Sequence, residues 1–212
     1  MTNTKQSKLI NNGAKNGVKS ICVFCGSRPG NEAHYMNLAD ETGHEIATAG
    51  YRLVYGGGGS GLMGATARAA FGAGGDVLGI IPHFLTEIEA LLQDVPHEVV
   101  PDMHIRKRKM YDASNAFIVL PGGIGTMEEA VEIMSWMRMR LHTKPIIFLS
   151  TDGYWQPLVD LMLHTIETGF SPQWMSSEIL RASSVAEALN LIQEHWERPA
   201  PDYALNVGLD EV

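Results

Sequence analysis

The chain has 212 residues, 45% hydrophobic and 19% charged, which suits one soluble globular domain with a sizeable core. A formal net charge of -8 argues against general binding to DNA or RNA, whose phosphate backbone an acidic surface repels, while a small anion can still answer to a local field. No apolar run is long enough to span a bilayer, and the polar start MTNTKQSKLINNGAKNG lacks the apolar core of a signal peptide, so neither a membrane segment nor a leader is expected.

Residues 1–18 read as a disordered tail, residues 19–196 as the single folded domain, and ERPAPDYALNVGLDEV from Glu197 as a second tail whose apolar residues could dock on a neighbour. The run KSICVFCGS predicts a buried strand. Its two cysteines, Cys22 and Cys25, stand three apart, so on a strand they face opposite sides of the sheet. That disfavours a redox pair, which normally opens a helix, and the scattered histidines offer no second pair of zinc ligands. Two buried thiols fit a reducing cytoplasm.

A helix is expected from Glu32 to Ala49, with Tyr35, Leu38, Ala39, Thr42 and Ile46 at helical spacing and Gly50 as its stop. The plan then repeats: strand 51–55, a glycine loop, an alanine-rich helix stopped at Gly74-Gly75, and the strand DVLGIIP. Residues 83–100 are less regular, with a short helix expected around 86–92 and extended HEVVP after it. Asp102 is placed to N-cap the helix MHIRKRKMYDAS, followed by the strand AFIVLPGG. The helix TMEEAVEIMSWMRMRLH is expected to bury Met127, Ala130, Val131, Met134, Met137 and Leu141; Met134 and Trp136 read as core rather than as a pocket for a base. KPIIFLS is a strand, YWQPLVDLMLHTIETGF a helix ended by glycine, and SVAEALNLIQEHW a last helix.

Apolar strands alternating with amphipathic helices predict an α/β fold: a single, doubly wound, mostly parallel, Rossmann-like sheet covered on both faces. Ligands in such sheets bind beyond the carboxyl ends of the strands. Three glycine-rich turns, CGSRPG (25–30), GGGGSGLMG (56–64) and PGGIGT (121–126), fall at those ends and are expected to converge on one crevice. Glycine permits close backbone approach, and free N–H groups at a helix start favour phosphate. The middle turn satisfies G-x-G-x-x-G through Gly59, Gly61 and Gly64, but the following strand ends in GIIPHF, without the ribose-binding acid of a dinucleotide site. It also nearly spells a P-loop, but Ala65 stands where the lysine belongs. What survives is a phosphate cradle without either chemistry.

The basic block Arg106 to Lys109 is either a solvated helix face or a set of phosphate ligands leaning over the crevice. Glu129 is similarly divided. Thr126 and Glu129 have the spacing of a capping box, and the same position puts a carboxylate one turn into a helix that would hold an anion.

In order along residues 19–170, CVFCGSRPG, LVYGGGGSGLMG, GIIPHFL, MHIRKRKM, AFIVLPGGIGTMEE and HTKPIIFL resemble the LOG ("lonely guy") family, the cytokinin riboside 5'-monophosphate phosphoribohydrolases. The resemblance implies hydrolysis of the N-glycosidic bond of a nucleoside 5'-monophosphate, AMP or an N6-modified AMP, to free base and ribose 5-phosphate. It implies Arg106 and Glu129 as the catalytic pair, with no metal and no cofactor. Substrate contacts are expected from Gly26 and Ser27 in the first turn, and from Gly57 and Gly58 in the second. The third turn would add Gly122, Gly123, Ile124, Gly125 and Thr126; Lys107, Glu128, Ser135 and, through a variable segment, Glu89 complete the set. A homodimer touching through the helix 126–141 is also implied, and a cytoplasmic setting. The chain departs from the family pattern at Ile105 and at Arg138 and Arg140, positions that bear on substrate preference and on the dimer. A non-catalytic nucleotide-binding module of the same fold is the competing reading.

Overall fold

The computed structural model describes residues 17–86 and 91–198. Its elements are β1 (Ser20–Phe24), α1 (Ala33–Thr48), β2 (Arg52–Tyr55), α2 (Gly61–Gly72), β3 (Val77–Pro82), α3 (His83–Thr86), β4 (His97–Val100) and α4 (Met103–Asp112). They continue with β5 (Ala116–Val119), α5 (Ile124–Arg138), β6 (Ile146–Leu149), α6 (Gln156–Glu167), a 3-10 turn (Gln173–Ser177), β7 (Leu180–Ala182) and α7 (Val185–Glu197). The strands form one seven-stranded sheet in the order β4-β3-β2-β1-β5-β6-β7, with every neighbouring pair parallel. Among the described residues no helix is long and apolar enough to cross a membrane.

This order explains where a ligand can sit. From β1 the chain steps outward through β2, β3 and β4, then returns to β5 on the other side of β1 and continues through β6 and β7. Connections leaving β1 and β5 therefore diverge, and a crevice opens beyond the carboxyl ends of those two strands. β1 and β5 are buried along their whole length, which is why both read as unbroken apolar runs. One face of the sheet is covered by α1, α2 and α7, through residues such as Leu38, Ala67 and Leu189. The other is covered by α4, α5 and α6, through Met110, Met134 and Val159. Cys22 belongs to the second core and Cys25 to the first; both are free and buried, and burial raises both thiol pKa values well above the ordinary range.

Local rules hold at several helix ends. Asp102 caps α4, its Oδ1 accepting from the Ile105 N–H at 2.9 Å. Gly50 and Gly169 follow α1 and α6 with positive φ. Four expectations need correction. Helical geometry lies at His83–Thr86, earlier than the short helix expected around 86–92, of which 87–90 lie outside the described residues. β7, an edge strand of three residues, is too short to show a periodicity and has no counterpart in the sequence reading. The third correction concerns α5, which begins at Ile124 with Gly123 as N-cap and no side-chain cap, so Thr126 and Glu129 form no capping box. Finally, α5 ends at Arg138, and Val131 and Leu141 are exposed; its buried face is Thr126, Glu129, Ala130, Ile133, Met134 and Met137, while Trp136 packs against the same core. Residues 1–16 and 199–212, nearly all of the two expected tails, lie outside the described residues.

Candidate active site

A cavity of about 670 Å³ occupies the crevice. Its walls are the first turn, from Cys25 to Asn31; the third turn, from Pro121 to Thr126; and the side chains of Tyr35, Tyr154, Leu62, Met63, Leu85 and Met103. Arg106, Glu128 and Glu129 complete it. The first and third turns are joined directly, because Gly26 N–H donates to Pro121 O at 3.0 Å, extending the β1–β5 pairing one step past the strands. Gly122 has to be glycine here: a Cβ would lie 2.2 Å from Thr126 Oγ1 and 2.9 Å from Gly26 N.

The third turn leaves its N–H groups free. Gly123 O accepts the first helical bond of α5, from Met127 N–H at 3.1 Å. The N–H groups of Gly122 through Thr126 donate to no other described residue. A helix start normally leaves such donors unmatched, and here they border a cavity, where they form a cradle for an anion. The Thr126 side chain, inside the first turn rather than capping it, borders the same space.

Arg106 and Glu129 form the polar floor. Arg106 Nη1 donates to Glu129 Oε1 at 2.6 Å, and both residues are buried, 5% and 8% exposed. The guanidinium is fixed further by Nε donating to Ile80 O at 3.1 Å and Nη2 to Gly56 O at 3.3 Å. A Cβ on Gly56 would fall 2.0 Å from Arg106 Nη2, so this glycine clears the path of the arginine. Burial raises the Glu129 pKa, and the positive charge of Arg106 opposes the rise. The result is a poorly hydrated carboxylate held in a known direction, able to face a developing cation or a water molecule. Its partner explains the missing capping box: a guanidinium attracts a carboxylate more strongly than a backbone N–H does.

The expected residues divide into two groups. Arg106, Glu129, Gly26, Ser27, Gly122, Gly123, Ile124, Gly125, Thr126 and Glu128 come together around the cavity. Gly57 and Gly58 are buried behind it, with Gly58 bridged to Leu91, so the second turn contributes through the Gly56 carbonyl, Leu62 and Met63. Lys107 lies beside the cavity and pairs with Glu128 and, at 3.0 Å, with Glu132. Glu132 Oε2 is buried and meets that ammonium without hydrogen-bond alignment. Ser135 is exposed farther along α5, and Glu89 lies outside the described residues. Sequence reasoning missed Gly56, Tyr35, Tyr154, Met63, Leu85 and Met103. The tyrosines carry no local motif, but both follow glycine turns at strand ends, the one usable signal.

A family profile described as "Possible lysine decarboxylase" matches residues 63–192. A cytokinin riboside 5'-monophosphate phosphoribohydrolase of Arabidopsis thaliana is 39% identical over 181 residues, spanning 85% of this chain and 85% of that protein. A protein of the same name from Rhodococcoides fascians is 41% identical over 177 residues, spanning 82% of this chain and 89% of its own length. The solved structure of the molybdenum cofactor binding protein of Rippkaea orientalis aligns with a TM-score of 0.63 at 22% identity, covering 83% of this chain and 96% of that one, a likeness of fold alone.

Proposed function

The chain belongs to the LOG family of phosphoribohydrolases, and we propose that it hydrolyses the N-glycosidic bond of a nucleoside 5'-monophosphate, AMP or an N6-modified AMP, to free base and ribose 5-phosphate. The observation that carries this reading is the buried Arg106–Glu129 pair on the floor of a cavity whose wall is a run of free N–H groups. A monophosphate seated on the Gly122–Thr126 N–H groups hands its ribose to that floor. As the bond from the anomeric carbon to the base breaks, its electron pair leaves with the base, positive charge builds on the sugar, and water adds to the anomeric carbon. The Glu129 carboxylate stabilises that charge and accepts a proton from the attacking water; the departing base takes up one proton from solvent, and Glu129 afterwards returns its proton to solvent, so the step balances. Arg106 orients Glu129 and opposes the rise in its pKa that burial causes. Phosphate binding at a distance supplies the energy that positions the sugar. Leu62, Met63, Leu85 and Met103 give the cavity an apolar side suited to a purine and its N6 substituent.

In this reading Arg106 and Glu129 are catalytic, and Gly26, Ser27, Gly122 to Thr126 and Glu128 contact substrate; Lys107 neutralises Glu128. Exposed Ile105, Ile124 and Val131 on α4 and α5 support a homodimer through those helices. The two free thiols support a cytoplasmic setting, and the net charge of -8 disfavours nucleic acid as a partner. The decarboxylase description finds no support in the site: among the described residues no lysine lines the cavity to hold pyridoxal phosphate. The test is a panel of nucleoside monophosphates, with nucleosides and triphosphates as controls, assayed for free base and ribose 5-phosphate. Selective cleavage of monophosphates is expected. Binding without base release from any of them would favour a non-catalytic nucleotide module.

A further inference from the structure

Two consecutive carbonyls of the third turn are held from outside it. Pro121 O accepts from Gly26 N–H at 3.0 Å, and Gly122 O accepts from the Tyr154 hydroxyl at 2.7 Å. In a trans peptide the carbonyl and the following N–H point opposite ways, so holding Gly122 O fixes the direction of the Gly123 N–H. Tyr154 is itself restrained on the loop between β6 and α6. Asp152 Oδ1 accepts from the Tyr154 N–H at 3.1 Å, while Oδ2 accepts from the Tyr35 hydroxyl at 2.9 Å and lies 3.1 Å from His34 Nε2. The Tyr154 ring meets Tyr35 edge-on at 5.8 Å and Trp155 edge-on at 4.9 Å. Trp155 is anchored in turn, its indole N–H donating to Val119 O at 3.0 Å. A continuous chain of contacts thus runs from β5 and the start of α1 to one hydroxyl on the Gly122 carbonyl.

We propose that Tyr154 is a positioning residue for phosphate recognition, with Asp152 as its anchor. The pair presets the peptide groups of the third turn before substrate arrives. The proposal rests on the reading that this turn holds the 5'-phosphate. Tyr154 acts through the turn rather than by touching the phosphate: its only proton is engaged by Gly122 O, and its remaining lone pairs repel an anion. Neither Tyr154 nor Asp152 bonds to Arg106 or Glu129, so the pair affects phosphate binding and not bond cleavage.

The test is calorimetric titration of ribose 5-phosphate and AMP, with adenosine as the phosphate-free control, into the full chain and its Tyr154→Phe, Asp152→Ala and Asp152→Asn variants. Turnover of AMP is measured alongside. Tyr154→Phe is expected to weaken ribose 5-phosphate and AMP about fivefold, the effect of one lost hydrogen bond, with adenosine affinity unchanged and kcat within twofold. Asp152→Ala should do the same by freeing the loop. Asp152→Asn should return affinity to within twofold of the original, because its amide oxygen still accepts from the Tyr154 N–H. Unchanged ribose 5-phosphate affinity in Tyr154→Phe overturns the proposal, as does equal weakening of adenosine or a fall in kcat at constant affinity. A parent chain that binds ribose 5-phosphate not at all overturns it too. Phosphate-selective weakening without any hydrolysis by the parent chain sinks the hydrolase reading and leaves this proposal standing.

Discussion

Successive residues of α4, Arg106 and Lys107, both form ion pairs with α5, and the pairs differ in kind. Arg106 meets Glu129 on the cavity floor with side chains 7% and 10% exposed, whereas Lys107 meets Glu128 where the Glu128 side chain is 51% exposed. The charges are alike, but successive helix residues are turned by roughly 100°, so Arg106 points at the strand ends and Lys107 does not. At the floor, water is replaced by the Ile80 and Gly56 carbonyls, which fix the guanidinium and leave the carboxylate under-solvated. At the rim, water screens the charges, and such a pair contributes about 1 kcal/mol or less. What separates a reactive carboxylate from a structural one here is incomplete compensation for lost hydration.

The contrast is tested most severely by Glu129→Gln. Base release from AMP should fall about a thousandfold in kcat, within the range for losing a general base and an electrostatic stabiliser together. AMP affinity should change only a few-fold. Stability should change little, because the neutral amide loses the attraction of Arg106 but also escapes the desolvation that raises the Glu129 pKa. Turnover above a tenth of the parent value would mean the floor pair is structural, like the rim pair. Gly56→Ala attacks the same pair from behind. A Cβ 2.0 Å from Arg106 Nη2 displaces the guanidinium, so kcat/KM should drop on the order of 10 to 100-fold, with 1–3 kcal/mol of overpacking cost, roughly. Gly72→Ala, where nothing lies within 4 Å of an added Cβ, is the neutral control.

The unequal legibility of these features has physical causes. Strand and helix alternation was readable because burial on both sheet faces imposes apolar runs, and the cysteine separation because strand side chains alternate. The convergence of the first and third turns follows from the strand order around β1, which composition does not encode. The Thr126/Glu129 spacing looked like a cap because capping is local; the guanidinium that redirects Glu129 lies 23 residues away. Gly56 passed unnoticed beside Gly57 and Gly58, since a glycine does not announce what passes its Cα. Tyr35 and Asp152, 117 residues apart, meet only once the sheet has been assembled.

Proton titration sharpens the contrast next. Burial raises the Glu129 pKa above its unfolded value of 4.5. The stability linked to this carboxyl is therefore fully present below 4.5 and is lost as pH rises through the folded pKa. Catalysis needs the ionised form, so kcat/KM should fall about tenfold per unit as pH drops below the same folded pKa. Activity and stability thus run in opposite senses over one window. Base release and urea denaturation across pH 4.5 to 7 check this, roughly the span from the unfolded value to neutrality. The stability slope should vanish in Glu129→Gln. A slope that survives the substitution would assign the titration to another group.

The smallest effect belongs to the rim. Glu128 borders the same cavity as the anion cradle, and its charge would oppose a phosphate dianion if nothing balanced it. Lys107 provides the balance; burial alone would lower its pKa, but Glu128 and Glu132 together raise it. Lys107→Met should therefore raise KM for AMP about fivefold at low salt and leave kcat within twofold, the size of one screened charge contact. Adding Glu128→Gln should remove most of that increase, because the repulsive charge goes with it. Raising the ionic strength should do the same without any second substitution. If the double variant instead loses affinity additively, Lys107 contacts the substrate itself, and the rim would join the floor as part of the binding machinery.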